Sequence, residues 1–313
     1  MRIFVTGATG VVGSRFVPLL TNAGHEVTAI GRSPDNRAAL ERQGARAVEA
    51  DLFERASLTP LVAGHDVLVN LATHIPASTS RMFLPGAWKE NDRVRREGSA
   101  NLVEAALAGG VTRLVQESYA PVYPDCGAAW ISEGTPIRPG RYNRTVEDAE
   151  RSAARFTSSG GTGIVLRFAA FYGPDSPFLL DMIALIRHGW AAMPGRPDGF
   201  VSSVSHGDAA TAVFAALTLP AGTYNVVEDE PITRQEYFDS LADALGVARP
   251  RHLPRWAFRL FGSAAQVLSR SQRISNRKLR ESSAWAPRYR SVREGWPEVI
   301  AEIDRKASRT AAA

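Results

Sequence analysis

Thr6-Gly7-Ala8-Thr9-Gly10-Val11-Val12-Gly13 is the stretch on which the fold of this chain turns. It follows Ile3-Phe4-Val5, an apolar β-branched run, and opens a helical pattern from about 11 to 23. Glycines at this spacing are weak evidence alone; between a strand and a helix they read as a dinucleotide-binding turn. Gly7 makes the tight turn, Gly10 lets the backbone approach a pyrophosphate, and Gly13 lets helix and strand pack closely. Thr9, Val11 and Val12 complete the lip. The helix N-terminus then faces the phosphates with free N–H groups and a partial positive charge.

Outward from that turn the chain alternates. Strand patterns at 27–30, 47–50, 66–71, 113–116 and 164–168 are interleaved with helical patterns such as 37–43 and 100–108. Such alternation implies a parallel sheet covered on both faces, a doubly wound α/β (Rossmann) domain over residues 1–173. Beyond 173 proline and glycine become frequent, and helices at 178–188 and 234–245 are separated by loops, with a short strand at 224–227. Residues 174–313 are expected to form a smaller, mainly helical substrate lobe, the chain crossing between the two.

The second strand ends Thr28-Ala29-Ile30-Gly31-Arg32-Ser33. An NAD-selective fold usually places an acid there for the ribose hydroxyls. Arg32 suits the 2′-phosphate of NADP instead, so NADP is expected and NAD is the alternative. Asp51 and Leu52, after the third strand, can edge and cap an adenine. Leu71, Ala72 and Thr73 end the fourth strand with room for close approach of the cofactor.

The chain has 313 residues, with 37 Lys and Arg against 32 Asp and Glu, a formal charge of +5, and 44% hydrophobic residues. That suffices for a core without disulfide or metal staples. The single Cys126 excludes an intrachain disulfide and a Cys-rich zinc site, and the histidines and acids show no metal-ligand spacing. Only three of the basic residues are lysines, Lys89, Lys278 and Lys306. Between Arg249 and Arg293 twelve basic residues face one acid, Glu281, so the basic character belongs to that segment. It can meet anions or be a solvated helical surface. No known nucleic-acid module accompanies it, and no nucleic-acid partner is expected. No run approaches a membrane span, so no stable membrane insertion is expected. The N-terminus enters a strand at once, so no secretion signal and a cytoplasmic setting are expected.

Together these pieces resemble the extended short-chain dehydrogenase/reductase superfamily, in its NAD(P)-dependent epimerase/dehydratase branch. The resemblance rests on Thr6 to Gly13, Asp51-Leu52, Asn91 to Ala106, Val122-Tyr123, Arg167 to Pro174, Tyr224-Asn225-Val226, and Ser275 to Pro287. It adds Phe168 and Ala169 to the cofactor-binding residues, and it implies a small-molecule substrate and a possible homodimer. Its chemistry rests on a Tyr-x-x-x-Lys pair on a helix, with a Ser or Thr three residues before the Val-Tyr. The tyrosine is present as Tyr142, but Val146 stands at the lysine position and Tyr119 at the hydroxyl position, with Ser118 one place earlier. A phenol of pKa about 10 needs help near neutral pH.

Glu117 is the other candidate. It shares a strand face with Tyr119, and a partly desolvated carboxylate there suits a proton donor or base. Alternatively it pairs with an arginine such as Arg113 or Arg167. His74 and Asp208 are weaker candidates, read as a surface histidine and a helix N-terminal charge. Trp256 to Phe261 starts an amphipathic helix that can cover a cleft, meet a subunit or touch a membrane. The expected activity is hydride transfer to or from a carbonyl, hydroxyl or conjugated carbon, with Tyr142 as acid/base and Glu117, Ser118 or Tyr119 assisting. A non-redox epimerase, dehydratase or cyclase, and a non-catalytic nucleotide-binding regulator, are the alternatives.

Overall fold

The apolar runs of the first half become strands of one parallel sheet in the computed structural model, which describes all residues except 77, 78, 83, 85, 192, 253–261 and 313. Its seven strands are β1 (Arg2–Thr6), β2 (Glu26–Ile30), β3 (Arg46–Val48), β4 (Val67–Asn70), β5 (Arg113–Tyr119), β6 (Thr162–Phe168) and β7 (Gly222–Val226). Their spatial order is β7-β6-β5-β4-β1-β2-β3, every neighbour parallel. The order reverses between β1 and β4, and at such a switch point a crevice opens beyond the strand carboxyl ends.

Both faces of the sheet are covered, which is why β1 and β4 read as unbroken apolar runs. On one face the helices Gly13–Asn22 and His206–Ala215 contribute Phe16, Val17, Ala209 and Val213 to a shared core. On the other, Arg55–Val62, Ser99–Ala108 and Val146–Ser158 contribute Leu58, Leu102 and Phe156. A second core joins the helices Pro177–Arg187, Arg234–Leu245 and Val292–Ala312, where Trp296 meets Tyr172 and Tyr237 edge-on. The chain returns to the sheet between these helices, since His206–Ala215 and β7 follow residue 173. The segment from Trp256 to Phe261 lies outside the described residues. No described helix is long and apolar enough to cross a membrane.

Two features place the site. Thr6 and Asn70, at the ends of β1 and β4, lie in register with Gln116 in the middle of β5. The Thr6 hydroxyl donates to Asn70 Oδ1 at 2.6 Å and Asn70 Nδ2 donates to Gln116 Oε1 at 2.9 Å, so three buried polar side chains form one satisfied thread. The second feature is one long helix interrupted by a turn of π-helix: Lys89–Arg93, then Val94–Gly98, then Ser99–Ala108. The wide turn swings Arg95 inward against β5; such insertions recur at functional sites.

Where the sheet meets the second core, Glu228 is 2% exposed and accepts the Tyr172 hydroxyl. Burial, reinforced by Asp208, pushes its carboxyl up to about 8. Between about pH 4.5 and about 8 the ionised form of Glu228 is favoured only in the unfolded chain. Stability therefore falls as pH rises through that window towards about 8, by at most about 1.4 kcal/mol per pH unit. Glu228→Gln is expected to flatten that decline in urea denaturation between pH 6.5 and 8; an unchanged slope would show that Glu228 is already ionised in the fold.

Candidate active site

The glycine turn has the geometry a dinucleotide needs. Gly7 adopts φ +68°, and a Cβ there would meet the Leu71 carbonyl oxygen at 2.3 Å. A Cβ on Gly13 would lie 2.3 Å from the Gly7 carbonyl oxygen. Gly10 differs: its Cβ would touch only the Gly7 oxygen, at 3.3 Å, and otherwise point into open space. Thr9 and Gly10 are exposed, Val11 is half-buried and Val12 buried. The helix beginning at Gly13 has no side-chain cap, so its first N–H groups remain available to an anion. Donors, dipole and an open space beside Gly10 together fit a pyrophosphate.

The flanks agree with that cradle. Leu71 N–H donates to the Thr6 carbonyl and Ala72 N–H to Asn70 Oδ1, setting Leu71, Ala72 and Thr73 beside the turn. Asp51 is exposed, and Leu52 is fixed through its carbonyl by Asn101 Nδ2 at 3.0 Å. Arg32 is exposed at the end of β2. Beside it Arg37 lies over Gly31, donating to the Gly31 carbonyl, and pairs with Glu49 at 2.9 Å. Phe168 and Ala169 are fully buried at the end of β6.

Tyr119 ends β5, two strands from the glycine turn, roughly 10 Å across a sheet of this spacing. Its phenol faces that of Tyr142, which packs edge-on against Trp88 at 5.2 Å and against Val267 of the helix Gly262–Leu268. Burial, then the neighbouring Tyr119, hold the Tyr142 phenol well above the usual range, while Arg95 and Arg270 pull it down. Its enclosed hydroxyl makes no well-formed hydrogen bond among the described residues. Burial likewise raises Tyr119.

The helical setting expected for Tyr142 is corrected. Tyr142 lies in a turn, and the helix begins only at Val146, which is fully buried. Tyrosine and position 146 therefore do not share a helix face. Nor does a lysine arrive from elsewhere. Lys89 is exposed, Lys278 donates to the Thr223 carbonyl and lies over the Tyr224 ring, and Lys306 pairs with Asp175.

Glu117 lies on the Tyr119 face, where Arg95 rather than Arg113 or Arg167 is its partner, at 2.9 Å. The pair is single-bonded and buried, with Glu117 Oε2 and Arg95 Nε both unpartnered. Ser118 requires correction. It points to the opposite face, where its hydroxyl donates to Glu150 at 2.6 Å, and Arg167 grips the same carboxylate. Alternation along the strand sends it away from the phenols. His74 is exposed; Asp208 is buried, bonded to Ser205 and to the Arg288 N–H. Trp88, Arg95, Val267 and Arg270 are the site residues that sequence reasoning did not find. Only the clustered charges of Arg93 to Glu97 hinted at any of them.

Gly10→Ala is expected to leave thermal stability nearly unchanged and to weaken binding of a nicotinamide dinucleotide about tenfold or more in calorimetric titration. Gly13→Ala must displace backbone and should cost about 1–3 kcal/mol of stability. Undiminished nucleotide binding by folded Gly10→Ala would remove the phosphate cradle from this loop.

A family model described as the NAD dependent epimerase/dehydratase family matches residues 3–226. A curated protein of a Streptomyces species, named 3-diazoavenalumate denitrifying reductase, is 33% identical over 94% of this chain and 99% of its own length. The human epimerase family protein SDR39U1, solved with NADPH, superposes with a TM-score of 0.79 at 22% identity, over 96% of this chain and 99% of its own. DesIV, a dTDP-glucose 4,6-dehydratase of Streptomyces venezuelae solved with NAD, gives 0.77 at 22% identity over 96% of each chain. The family match runs from the first strand of the sheet through the last, and the chain belongs to the NAD dependent epimerase/dehydratase family.

Proposed function

We propose that this protein is an NADP(H)-dependent oxidoreductase that reduces a small organic substrate, with Tyr142 as the proton donor. The state of the Tyr142 phenol carries the reading. It is enclosed beside Tyr119, with no lysine near it, and burial keeps it neutral. A neutral phenol gives a proton more readily than it takes one, which favours reduction over oxidation. Held by the glycine turn and by Leu71 to Thr73, a nicotinamide dinucleotide would supply the hydride chemistry at the carboxyl edge of the sheet. The glycine turn would hold the pyrophosphate, with Leu71 to Thr73 beside it, and Tyr119 packs against the Tyr142 phenol. Trp88 and Val267 exclude water from it. Arg95 with Glu117 forms a charge-balanced floor in which Glu117 positions Arg95.

Preference for NADP is supported by Arg32, exposed at the end of β2 and without an acid beside it. Arg32→Ala is expected to weaken NADPH binding about tenfold while leaving NADH binding unchanged, read by nucleotide fluorescence titration. Equal losses for both nucleotides would count against it.

A second reading is favoured by the relative named as a denitrifying reductase of a diazo compound. An arenediazonium is electrophilic enough to need no proton donor. Hydride adds to the terminal nitrogen of R–N₂⁺ to give R–N=N–H, which loses N₂ and passes its proton to carbon, leaving R–H. That chemistry tolerates the aliphatic Val146. Turnover of NADPH with a ketone panel and with an arenediazonium salt separates the readings. Tyr142→Phe should lower ketone reduction about 100-fold or more and leave diazonium reduction nearly untouched. Binding of NADPH without turnover of either class would instead favour a nucleotide-binding regulator.

A further inference from the structure

The basic segment from Arg249 to Arg293 is largely neutralised by acids from elsewhere in the chain. Arg249 pairs with Asp239 and Asp243, Arg280 with Asp229, Arg288 with Glu298, Arg290 with Glu230, and Arg293 with Glu236. Arg273 is different. Among the described residues its guanidinium has no hydrogen-bond or ion-pair partner, and its Nε is buried. What holds it is aromatic: its Cζ lies 4.1 Å from the Trp130 ring centroid and 5.0 Å from that of Phe200.

Strand pairing builds this arrangement. Arg273–Ile274 runs parallel to Trp130–Ile131, with Arg273 directly opposite Trp130. Phe200 is tied to the same segment through both main-chain groups: its N–H donates to Ser271 Oγ, and its carbonyl accepts the Gln272 N–H. Alternation sends Gln272 the other way, to the Tyr123 carbonyl, so Arg273 lies on the side of the segment away from Tyr123. There Arg273 and the two rings line a cavity of about 520 Å³, the size of a small-molecule pocket. The other charges in its lining are Asp229, Glu230, Glu236 and Arg293. Arg280, Arg290 and Arg293 hold the three carboxylates in turn, and Asp229 also accepts Asn276 Nδ2. Asp125, on the loop that leads to Trp130, accepts the Gly127 N–H and is not part of the lining. With the three acid–arginine pairs cancelling, Arg273 is the charge left over among the described residues of the cavity.

We propose that Arg273 anchors a second ligand site, on the C-terminal lobe, for a small molecule bearing a carboxylate or phosphate group. Cation–π contact fixes the guanidinium but offers its planar N–H donors no acceptor oxygen. An oxyanion supplies two oxygens at the spacing a guanidinium fork matches. A cationic ligand would have to displace an arginine from one of the three paired carboxylates. The site does not depend on the hydride-transfer reading, since none of its residues lies at the glycine turn or around Tyr142.

The test titrates the full-length, uniformly ¹⁵N-labelled protein with inorganic phosphate, with benzoate, and with sodium chloride at matched ionic strength. Two resonances report on the site: the Arg273 Nε–H, assigned by its loss in Arg273→Gln, and the Trp130 indole N–H, assigned by its loss in Trp130→Phe. Both should move saturably with phosphate or benzoate, half-complete at about 1–10 mM, and not with chloride. A response to one anion alone names phosphate or carboxylate as the group recognised. Read at the Trp130 indole, Arg273→Gln should weaken binding about tenfold or more, and Arg273→Lys, which keeps the charge but not the fork, nearly as much. No saturation of either resonance by about 50 mM overturns the proposal. So does an equal response to chloride, which would mark general screening, and so does undiminished binding by folded Arg273→Gln. Should Arg273→Gln fail to fold, Arg273→Lys supplies the assignment and the same comparison.

Discussion

Three hydrogen-bonded side chains hold the working edge of this molecule level. Thr6, Asn70 and Gln116 sit opposite one another on β1, β4 and β5, each partnered within the sheet interior. Buried polar groups of this kind are costly unless satisfied, so the thread specifies register as well as joining strands. The same Asn70 holds the Ala72 N–H, and the Thr6 carbonyl holds Leu71. Gly7 can then approach the Leu71 carbonyl as closely as only glycine allows. A slip of one residue would turn polar side chains into the core and lift the glycine turn off its support.

On the far side of β5 a second network does the corresponding work. Ser118 and Arg167 converge on Glu150, while Arg167 also reaches the Tyr123 hydroxyl, which donates to Asn225 of β7. The last residues of β5 therefore serve two faces with different chemistry. Ser118 ties the sheet to the helix Val146–Ser158. Glu117 and Tyr119 look the other way, towards Arg95 and Tyr142. Adjacent positions in a strand cannot share a task, and here one binds the fold while its neighbours line the site.

The scarcity of lysine becomes local at Tyr142. Each of the three lysines is occupied elsewhere or exposed, and position 146 is a core valine at a helix start. Positive charge reaches the phenol from two arginines that are distant in the chain, one on a π-helical turn and one on the C-terminal lobe. A guanidinium is always charged and is held by carbonyls in a fixed fork.

The strand-helix alternation, the glycine turn and Arg32 were readable in the sequence because each is local. Strand periodicity and positive φ depend on neighbours within a few positions, and six strands of the sheet and its glycine turn followed from them; the seventh strand, read as a short strand of the C-terminal lobe, joins the sheet through its long-range pairing with β6. Alternation also placed Glu117 with Tyr119. What the sequence could not determine was long-range partnering. Whether Glu117 would meet Arg95, Arg113 or Arg167 depends on a wide helical turn that bulges towards β5, which no residue pattern announces. That Ser118 would be taken by Glu150, and that Tyr142 would lie ahead of its helix, were likewise matters of packing. The sequence by itself determined the scaffold and the absence of lysine beside Tyr142. Only the tertiary structure decided which charges fill that place, because electrostatic fields are set by distance through space and not along the chain.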